Sequence, residues 1–423
     1  MALESIALIP SGYKATKVYS QLPVNGNGDF TFDRGTSADQ TRVNKNGLIE
    51  SVAVDVPRLD YLDGGCPSLL LEPASTNLVT YSEDFSNVAW LKFRSSVSND
   101  TILSPDGSVN ADKLIEDTST DTHYVTQNIV SLTGTFTFSV FLKKAEREFV
   151  TLREFSSTGA RATFDLTNGI ILSEGGGVTN PKIVDYGNGW YRCSIDATLA
   201  AQNFGCGIVL SQDGTSTQSY TGDGTSGIYI YGAQLEQQSY ATSYIPTSGA
   251  TATRDAETCN SAGTTAEINS QEGVLFVEYK PSVDSSSIKQ LSLSDGSTSN
   301  RVLIEVKDSG TTLRPYLINS TSNNQLNDFS ILDTDVYYKI ALVYSLSSVS
   351  FYVNGVLTDV DNGTIYTPVG LNELALDSGA GSLPFLGRTK KLSVYDQALS
   401  ATELESLTGF SSFSEMKSYL SYS

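Results

Sequence analysis

The chain of 423 residues contains a single histidine, His123, in the segment DTHYVTQ. A Ser-His-Asp triad or a histidine-based metal site would therefore depend on this one residue. The Gly-x-Ser-x-Gly pattern of a nucleophile elbow does not occur near it. The sequence thus favours an ordinary structural histidine over a catalytic one.

Sugar binding is the second chemistry that the residue types permit, because aromatic faces stack on apolar sugar surfaces beside a few polar groups. Alternation in WYRCSIDA places Trp190 on the polar face of its strand. Tyr229 and Tyr231 alternate with two isoleucines, so they form an aromatic pair opposite an aliphatic face. We predict Trp190, Tyr229 and Tyr231 as glycan contacts, and the alternative is that they pack against a neighbouring domain or subunit. Trp90, between apolar neighbours, is a predicted core residue.

Acidic, glycine-containing loops are the candidate metal ligands. The segments SQDGTST and TGDGTSG offer carboxylate and carbonyl oxygens, which Ca²⁺ prefers, although neither matches an EF-hand. Glu72 and Glu236, in two strand candidates, are further possible ligands. Asp-Gly turn chemistry alone also explains these loops. The sequence therefore requires no cofactor, and a structural calcium is a hypothesis.

The elements that must position these side chains have the patterns of β-strands. The segments from Pro67 to Lys92 and from Gly227 to Arg254 are apolar strand candidates interrupted by turn residues, and we take them as the first and last strands of one domain. Strict alternation in TFTFSVFL and a turn at Asn168-Gly169 support the same interpretation. We predict an all-β protein with two antiparallel β-sandwich (jelly-roll) domains, preceded by an extended N-terminal attachment arm.

Predicted domain boundaries follow from composition. Residues 1–65 contain little that could form a core and form the predicted arm, which would need a partner surface to become ordered. The first sandwich spans residues 66–255, a small polar linker spans 256–270, and the second sandwich spans 271–423. In the last, Ser400 and Glu403 form a capping box that predicts a short helix ending near Gly409.

Charge and composition limit the partners. Lys and Arg total 27 against 47 for Asp and Glu, a formal charge of −20 that repels nucleic acid and anionic membranes. No apolar run approaches the roughly 20 residues that span a bilayer. The N-terminus lacks the basic residues of a secretion signal, so synthesis in a cytosol without signal-directed export is expected. The four cysteines show no zinc-site spacing, and buried free thiols are expected.

The C-terminal part of the chain contains the segments SFYVNGVLTDVD and PFLGRTKKLSVYDQALSATELESL. These segments resemble laminin-G-like, concanavalin-A-like jelly rolls, and the resemblance covers about Gly273 to Phe410. Glucanases of the concanavalin-A-like fold place Glu-x-Asp-x-x-Glu on one strand, a spacing that does not occur here. Retaining hydrolysis needs two carboxyls about 5 Å apart, which no local pattern implies.

Four earlier segments are also distinctive: FDRGTSADQTRVNKNGLIE, PRLDY, CPSLLLEPASTNLVTYSEDFSN and YTGDGTSGIYIYGAQLEQQSYATSYIPT. Together they resemble structural proteins of tailed bacteriophages. The resemblance covers about Gly28 to Arg254 and implies a carbohydrate-binding-module-like sandwich in a non-enzymatic fibre or tail component. It also implies a location in the virion, after synthesis in the bacterial host cytoplasm.

The sequence therefore predicts a virion protein that displays β-sandwiches for adhesion to host-surface glycans. Its arm would dock on other virion proteins, and the family resemblance favours a homo-oligomer, a trimer above other states. Two alternatives stay open: a purely architectural virion protein without glycan binding, and a glycan-degrading enzyme.

Overall fold

The computed structural model describes residues 3–35, 40–156, 158–215, 219–282, 288–410 and 416. About half of the chain is in strands and 2% is helical. The prediction of an all-β fold made of antiparallel sandwiches is confirmed.

The strands up to the middle of the chain are β1 Ile6–Leu8, β2 Tyr13–Lys14, β3 Lys17–Val18, β4 Phe30–Asp33, β5 Thr41–Val43, β6 Ile49–Ser51, β7 Arg58–Asp60, β8 Ser68–Leu71, β9 Ser75–Asn77, β10 Leu91–Phe93, β11 Ser95–Leu103, β12 Val109–Glu116, β13 Thr120–Asp121, β14 Tyr124–Lys144, β15 Phe149–Glu154, β16 Arg161–Asp165, β17 Ile170–Gly175, β18 Lys182–Asp185, β19 Trp190–Ser211, β20 Tyr220–Thr221 and β21 Gly227–Glu236. The remaining elements are β22 Ala252–Arg254, β23 Thr258–Asn260, β24 Gly273–Pro281, β25 Lys289–Ser294, β26 Arg301–Lys307, β27 Thr312–Asn319, β28 Ser322–Gln325, β29 Phe329–Ser330, β30 Tyr338–Tyr344, β31 Val349–Val353, β32 Val356–Asp361, β33 Glu373–Ala375, β34 Gly387–Tyr395 and the helix α1 Ala401–Thr408.

These elements form two compact units. Unit 1 comprises Met1–Thr36, Ala53–Pro73 and Asp255–Ser423, whereas unit 2 comprises Ser37–Val52 and Ala74–Arg254. The chain therefore passes between the units more than once.

Unit 1 is a sandwich of an eight-stranded and a six-stranded sheet. The larger sheet has the order β32-β31-β30-β24-β34-β8-β7, with β1 also on β34, and the smaller has the order β28-β27-β26-β25-β33, with β29 on β27. Alternation along β24 explains the layers, because Leu275 and Val277 belong to the main core whereas Val274 and Phe276 lie on the other face. The helix α1 covers that other face through Leu404. Its capping box, predicted from the sequence, is present, with Ser400 N donating to Glu403 Oε2 at 3.0 Å.

The N-terminal residues differ from the expected extended arm. Strand β1 pairs with β34, placing Ile6 opposite Val394, and Ile6 and Leu8 are fully buried in the core of unit 1. Strands β7 and β8, the latter expected to open the first sandwich, extend the same sheet. The physical reason is that short alternating apolar stretches have too little area to form a core alone but suffice as edge strands of an existing sheet.

The segment expected as a linker is also part of unit 1. Strand β23 pairs with β4, and Cys259 and Ile268 belong to the core. Residues 256–270 are small and polar, but a strand needs only alternate apolar side chains to join a buried sheet.

Unit 2 is built on the two long strands β14 and β19. Their pairing runs from Tyr124 opposite Val209 to Lys143 opposite Trp190, with register breaks between Ile129 and Gly134. On the Lys143 side of this break the sheet continues through β21, β12 and β11, and β18 pairs with β19. On the Tyr124 side it continues through β15, β16 and β17, and β10 pairs with β14. The core of unit 2 draws side chains from both sets, including the predicted core residue Trp90.

Two further sequence expectations are addressed by the structure. Cys193, Cys206 and Cys259 are buried free thiols and Cys66 is exposed, which confirms the expectation of buried thiols. Among the described residues, no helix has both the length and the apolar character needed to cross a bilayer.

Candidate functional site

Trp190 and Tyr231, two of the predicted glycan contacts, lie in a buried aromatic cluster of unit 2. Each is 2% exposed, and they pack with Ile49, Phe141 and Tyr244. The indole N–H of Trp190 donates to Leu103 O at 3.1 Å. Neither ring is therefore available to stack on a sugar. The outer face of these strands is not exposed to solvent, because residues from β6 and from the segment after β21 pack on it.

Tyr229 packs against the same cluster but is only half-buried. Tyr229 is therefore more exposed than Trp190 and Tyr231, although all three side chains lie on one face of the sheet. Whether Tyr229 contacts a ligand stays a prediction.

A tyrosine-carboxylate group lies beside this cluster. The Tyr231 hydroxyl contacts Glu83 Oε1 at 3.0 Å and Asp106 Oδ2 at 3.1 Å. Burial raises the pKa of Glu83, whereas hydrogen bonds from Ser104, Ser108 and other donors hold the pKa of Asp106 low despite its burial. Both Asp106 oxygens accept two hydrogen bonds, so this carboxylate fixes a turn and is not free to attack a substrate.

Glu72 and Glu236, the predicted calcium ligands, are each engaged by side chains of their own unit. Glu72 pairs with Arg58 at 2.7 Å, and each oxygen of Glu236 accepts two hydrogen bonds, from Gln234, Thr242 and Ser75. Protein donors thus compete with a cation for these carboxylates, and calcium binding by either residue stays a prediction.

The acidic loops are explained by turn chemistry where they are described. Asp223 accepts hydrogen bonds from the backbone and side chains of Thr225 and Ser226, and these bonds lower its pKa. Part of SQDGTST lies outside the described residues. No group of three or more His, Cys, Asp or Glu that could hold a metal ion occurs within the described ranges. A structural calcium stays a hypothesis.

A row of three aromatic side chains on unit 2 is the strongest candidate binding surface. The Phe93 and Tyr124 rings stack at 5.0 Å between centroids, with an angle of 19° between their planes. The Tyr124 and Phe155 rings follow at 4.5 Å and 31°. All three side chains are only partly buried. We call Phe93, Tyr124 and Phe155 the aromatic row.

Strand pairing positions the aromatic row. Phe93 in β10 lies directly opposite Tyr124 in β14, and β14 in turn pairs with β19. Two glycines of β19, Gly205 and Gly207, leave room for the Phe155 ring: a Cβ built at Gly207 would lie 2.2 Å from Phe155 Cε2. Glycine within a strand commonly marks such a close approach.

The buried carboxylate of Glu154 holds the loop that follows Phe155. It accepts hydrogen bonds from the backbone N–H groups of Thr158 at 2.7 Å and Gly159 at 3.1 Å, and also from Ser156 and Gly205. Because a carboxylate forms strong hydrogen bonds with N–H donors, this arrangement fixes the end of β15 and hence the Phe155 ring.

An arginine lies at each end of the aromatic row. The Arg94 guanidinium lies 5.8 Å from the Phe93 centroid, and the Arg153 guanidinium lies 5.0 Å from the Phe155 centroid. Burial, followed by the charge of Asp121, raises the pKa of Tyr124, so its hydroxyl is neutral at physiological pH. The row thus combines apolar ring surface with hydroxyl and guanidinium donors, the combination that a sugar requires.

His123 supports one end of the row. It is buried, its Nδ1 lies 2.6 Å from Arg94 O, and its ring packs on Tyr220 at 4.7 Å between centroids. Its observed contacts are those of a positioning residue for the backbone at Arg94.

The sequence analysis did not identify the aromatic row. Its members come from three strands that are distant in the chain, and no local motif links them. The available signal was the alternation of Gly205 and Gly207 in NFGCG, which places two glycines on one face of a strand.

Comparisons with known proteins agree with the sandwich architecture. Residues 264–405, about a third of the chain, match the family model described as the concanavalin A-like lectin/glucanases superfamily. This family match lies within unit 1. No curated protein sequence matches the chain.

The matches to solved structures are weak. The CBM40 domain of the Ruminococcus gnavus IT-sialidase, bound to alpha2,3 sialyllactose, is 18% identical, with 34% of this chain and 84% of that chain covered and a TM-score of 0.29. Domains LG4-5 of the mouse laminin alpha1 chain are 11% identical, with 68% and 88% covered and a TM-score of 0.24. The Trypanosoma rangeli sialidase is 9% identical, with 70% and 60% covered and a TM-score of 0.27. These values are too low to transfer a ligand, an activity or a site to this chain.

Proposed function

We propose that unit 2 binds glycans and that the chain is a non-enzymatic virion protein, a fibre or an accessory tail or head component, that displays this unit to host-surface glycans. The observation that carries the glycan-binding proposal is the partly exposed aromatic row with an arginine at each end.

The aromatic row supports sugar binding better than the cluster around Trp190. Sugar recognition needs accessible aromatic surface next to hydrogen-bond donors. The row provides partly exposed rings, a neutral Tyr124 hydroxyl and two guanidinium groups, whereas the Trp190 ring is enclosed.

The virion setting rests on the sequence resemblance to tailed-phage structural proteins. Weak sugar contacts become effective when several copies are displayed together, and a homo-oligomer, with a trimer favoured, is part of the proposal. Docking on other virion proteins is assigned to the N-terminal residues. Although they are folded into unit 1, they present the apolar side chains of Leu3 and Val24, which are 87% and 93% exposed.

A glycan array with the full chain, followed by titration calorimetry on the glycans that bind, tests the site. Tyr124→Ala should weaken binding at least tenfold, because it removes the central ring of the row. Tyr19→Ala is the matched control, since Tyr19 is a partly exposed tyrosine of unit 1 with a lysine near its ring. Tyr229→Ala shows whether the tyrosine predicted from the sequence also contributes.

The same array separates the alternatives. Binding without shortening of the glycan supports the proposed adhesin, whereas depolymerisation would replace it with the enzyme. Absence of binding to any glycan, together with no change in host adsorption, would leave the architectural role.

The virion part of the proposal has its own test. The protein should co-sediment with purified particles, and Leu3→Ser combined with Val24→Ser should reduce its incorporation without altering glycan binding. A protein that is absent from particles would overturn the virion assignment and leave glycan binding to be judged separately.

A further inference from the structure

We infer that the aromatic row selects an anionic glycan, one carrying a carboxylate or sulfate group, and that Arg94 and Arg153 bind this group. This inference rests on the proposed glycan-binding function and adds the class of ligand.

Arg94 and Arg153 lack the acidic partners that several other arginines of this chain have. Arg147 pairs with Glu116 at 2.6 Å, Arg314 with Asp328 at 2.6 Å, and Arg42 with Glu50 at 2.7 Å. Within the described part of the chain, neither Arg94 nor Arg153 forms an ion pair or a side-chain hydrogen bond, and the guanidinium group of each lies beside an aromatic ring. In a protein of net charge −20, a guanidinium group without an ion pair at each end of the aromatic row leaves positive charge available to an anionic ligand.

The strand register places two arginine side chains next to each other. Arg153 in β15 lies directly opposite Arg161 in β16, and like charges in this relationship destabilise a sheet. The Nε atoms of both arginines are buried without a hydrogen-bond partner among the described residues. An anion beside these two partly exposed side chains would relieve the repulsion, because guanidinium groups match carboxylate and sulfate oxygens in geometry.

Four residues lie opposite one another across neighbouring strands and form a line beside the aromatic row. Thr126 lies opposite Gly207, Gly207 lies opposite Arg153, and Arg153 lies opposite Arg161. The Thr126 hydroxyl is also buried without a described partner. Unsatisfied polar atoms thus occur at three of four consecutive positions of this line, beside the Phe155 ring. Because most buried polar groups in folded proteins have hydrogen-bond partners, this concentration of unpaired atoms requires an explanation, and a bound ligand beside the row supplies one.

At the other end of the row, the backbone of Arg94 has an uncommon conformation. Arg94 has φ of +49°, in the left-handed region that non-glycine residues seldom occupy. His123 Nδ1 and the backbone N–H of Asp117 both contact its carbonyl oxygen, at 2.6 Å and 3.0 Å. The surrounding residues therefore maintain an unfavourable conformation that presents this side chain, as strained residues at binding sites are maintained.

Acidic groups near the row limit how much negative charge it can accept. Asp117 lies 3.6 Å from His123 Nδ1, and Arg94 contributes to lowering the pKa of Asp117, although hydrogen bonds from Ser119 contribute more. Asp121 acts electrostatically on Tyr124. These groups oppose a dense polyanion such as nucleic acid and are compatible with a glycan that carries isolated charges.

Titration calorimetry of the full chain with three probes tests the inference. The probes are a hexuronic acid tetrasaccharide, the same tetrasaccharide after reduction of its carboxyl groups, and a sulfated tetrasaccharide. We expect at least tenfold weaker binding of the reduced form, and the sulfated probe shows which of the two anionic groups is preferred. Affinity for the acidic probe should fall as salt is raised from 50 to 300 mM, since screening weakens exposed charge pairs.

Variants locate the effect. Arg94→Gln and Arg153→Gln should each weaken binding of the acidic probe about tenfold and weaken any binding of the reduced probe by a smaller factor, since the reduced probe loses only a hydrogen-bond donor. Arg314→Gln, which removes a positive charge from unit 1, is the matched control and should have no effect. Thermal unfolding of every variant confirms that the fold is kept.

The outcomes distinguish the two proposals. Equal affinity of the native chain for the acidic and the reduced tetrasaccharide, with both lost in Tyr124→Ala, would overturn the anionic selectivity and keep glycan binding. Failure of every probe and of the full glycan array would remove the proposed function itself. Salt-sensitive binding that the two glutamine variants do not weaken would show that the anion is held elsewhere.

Discussion

The ring of Phe155 occupies the space in which a side chain at position 207 would lie. A Cβ built on Gly207 would come within 2.2 Å of Phe155 Cε2 and 2.7 Å of Arg153 O. The absence of a side chain at Gly207 therefore allows the Phe155 ring to take its place at the end of the aromatic row. A methyl group at position 207 would have to displace this ring.

Gly207→Ala should consequently destabilise unit 2 by about 1–3 kcal/mol, the usual effect of added atoms in a packed region. It should also weaken glycan binding, because the Phe155 ring moves out of the row. Chemical denaturation measures the first effect and titration calorimetry the second. In a Phe155→Ala background the added methyl group should cost less, and an unchanged cost would show that the clash is with the backbone alone.

The stacked pair of Phe93 and Tyr124 should contribute to stability as well as to the site. Rings stacked at 5.0 Å typically contribute about 0.5–1.5 kcal/mol beyond the area that they bury. A double-mutant cycle with Phe93→Leu and Tyr124→Leu should give a coupling free energy in this range. Phe93→Leu combined with Tyr186→Leu, in the cluster around Trp190, should be additive. A zero coupling in the first cycle would mean that the rings are neighbours without mutual stabilisation.

Local alternation predicted one face of β19 and not the other. Cys193 and Ile195 are fully buried in the core, as the pattern in WYRCSIDA indicates. The opposite face, with Trp190 and Arg192, is buried too, because Ile49 and Tyr244 come from distant parts of the chain to cover it. A period of two distinguishes the two faces of a strand but does not show whether a second layer covers the outer one.

The aromatic row could not be predicted from local sequence patterns, because it depends on how distant strands pair. Phe93, Tyr124 and Phe155 meet only because β10, β14, β19 and β15 pair in a particular register. Register between strands far apart in sequence depends on the whole core and on turn geometry. The short helix α1, by contrast, has all its determinants within ten residues, and its prediction is confirmed.

The buried ion cluster of unit 1 should be far more sensitive to substitution than a surface pair. Glu257 accepts hydrogen bonds from Arg34 at 2.9 Å and from Arg58 Nε at 2.8 Å, and the side chains of Glu257 and both arginines are completely buried. Glu257→Gln removes the negative charge that two buried guanidinium groups share and should cost about 3–5 kcal/mol. Chemical denaturation, with hydrogen exchange of β4 and β8 to identify unit 1, measures this loss.

The control is an exposed pair of the same unit. Asp328→Asn removes the partner of Arg314 on the surface, where ion pairs generally contribute about 0–1 kcal/mol. Comparable losses in the two variants would show that burial does not amplify the role of Glu257.

Asp112 should make the stability of unit 2 depend on pH in an unusual direction. Its side chain is 2% exposed, and burial raises its pKa to about 6, although the N–H groups of Phe85 and Asp100 donate to it at 3.0 and 3.1 Å. Because the folded state holds this proton more tightly than the unfolded state, the contribution of Asp112 to stability is largest below the ordinary pKa of 3.8 and falls as pH rises from about 4 to 6. Asp112→Asn removes the titration, so the free energy of unfolding of the native chain minus that of the variant should decrease over this interval and level off above it. Denaturation of both proteins at pH 4, 5, 6 and 7.5 measures the difference, and a difference that increases with pH would mean that the two N–H donors, rather than burial, control this carboxyl.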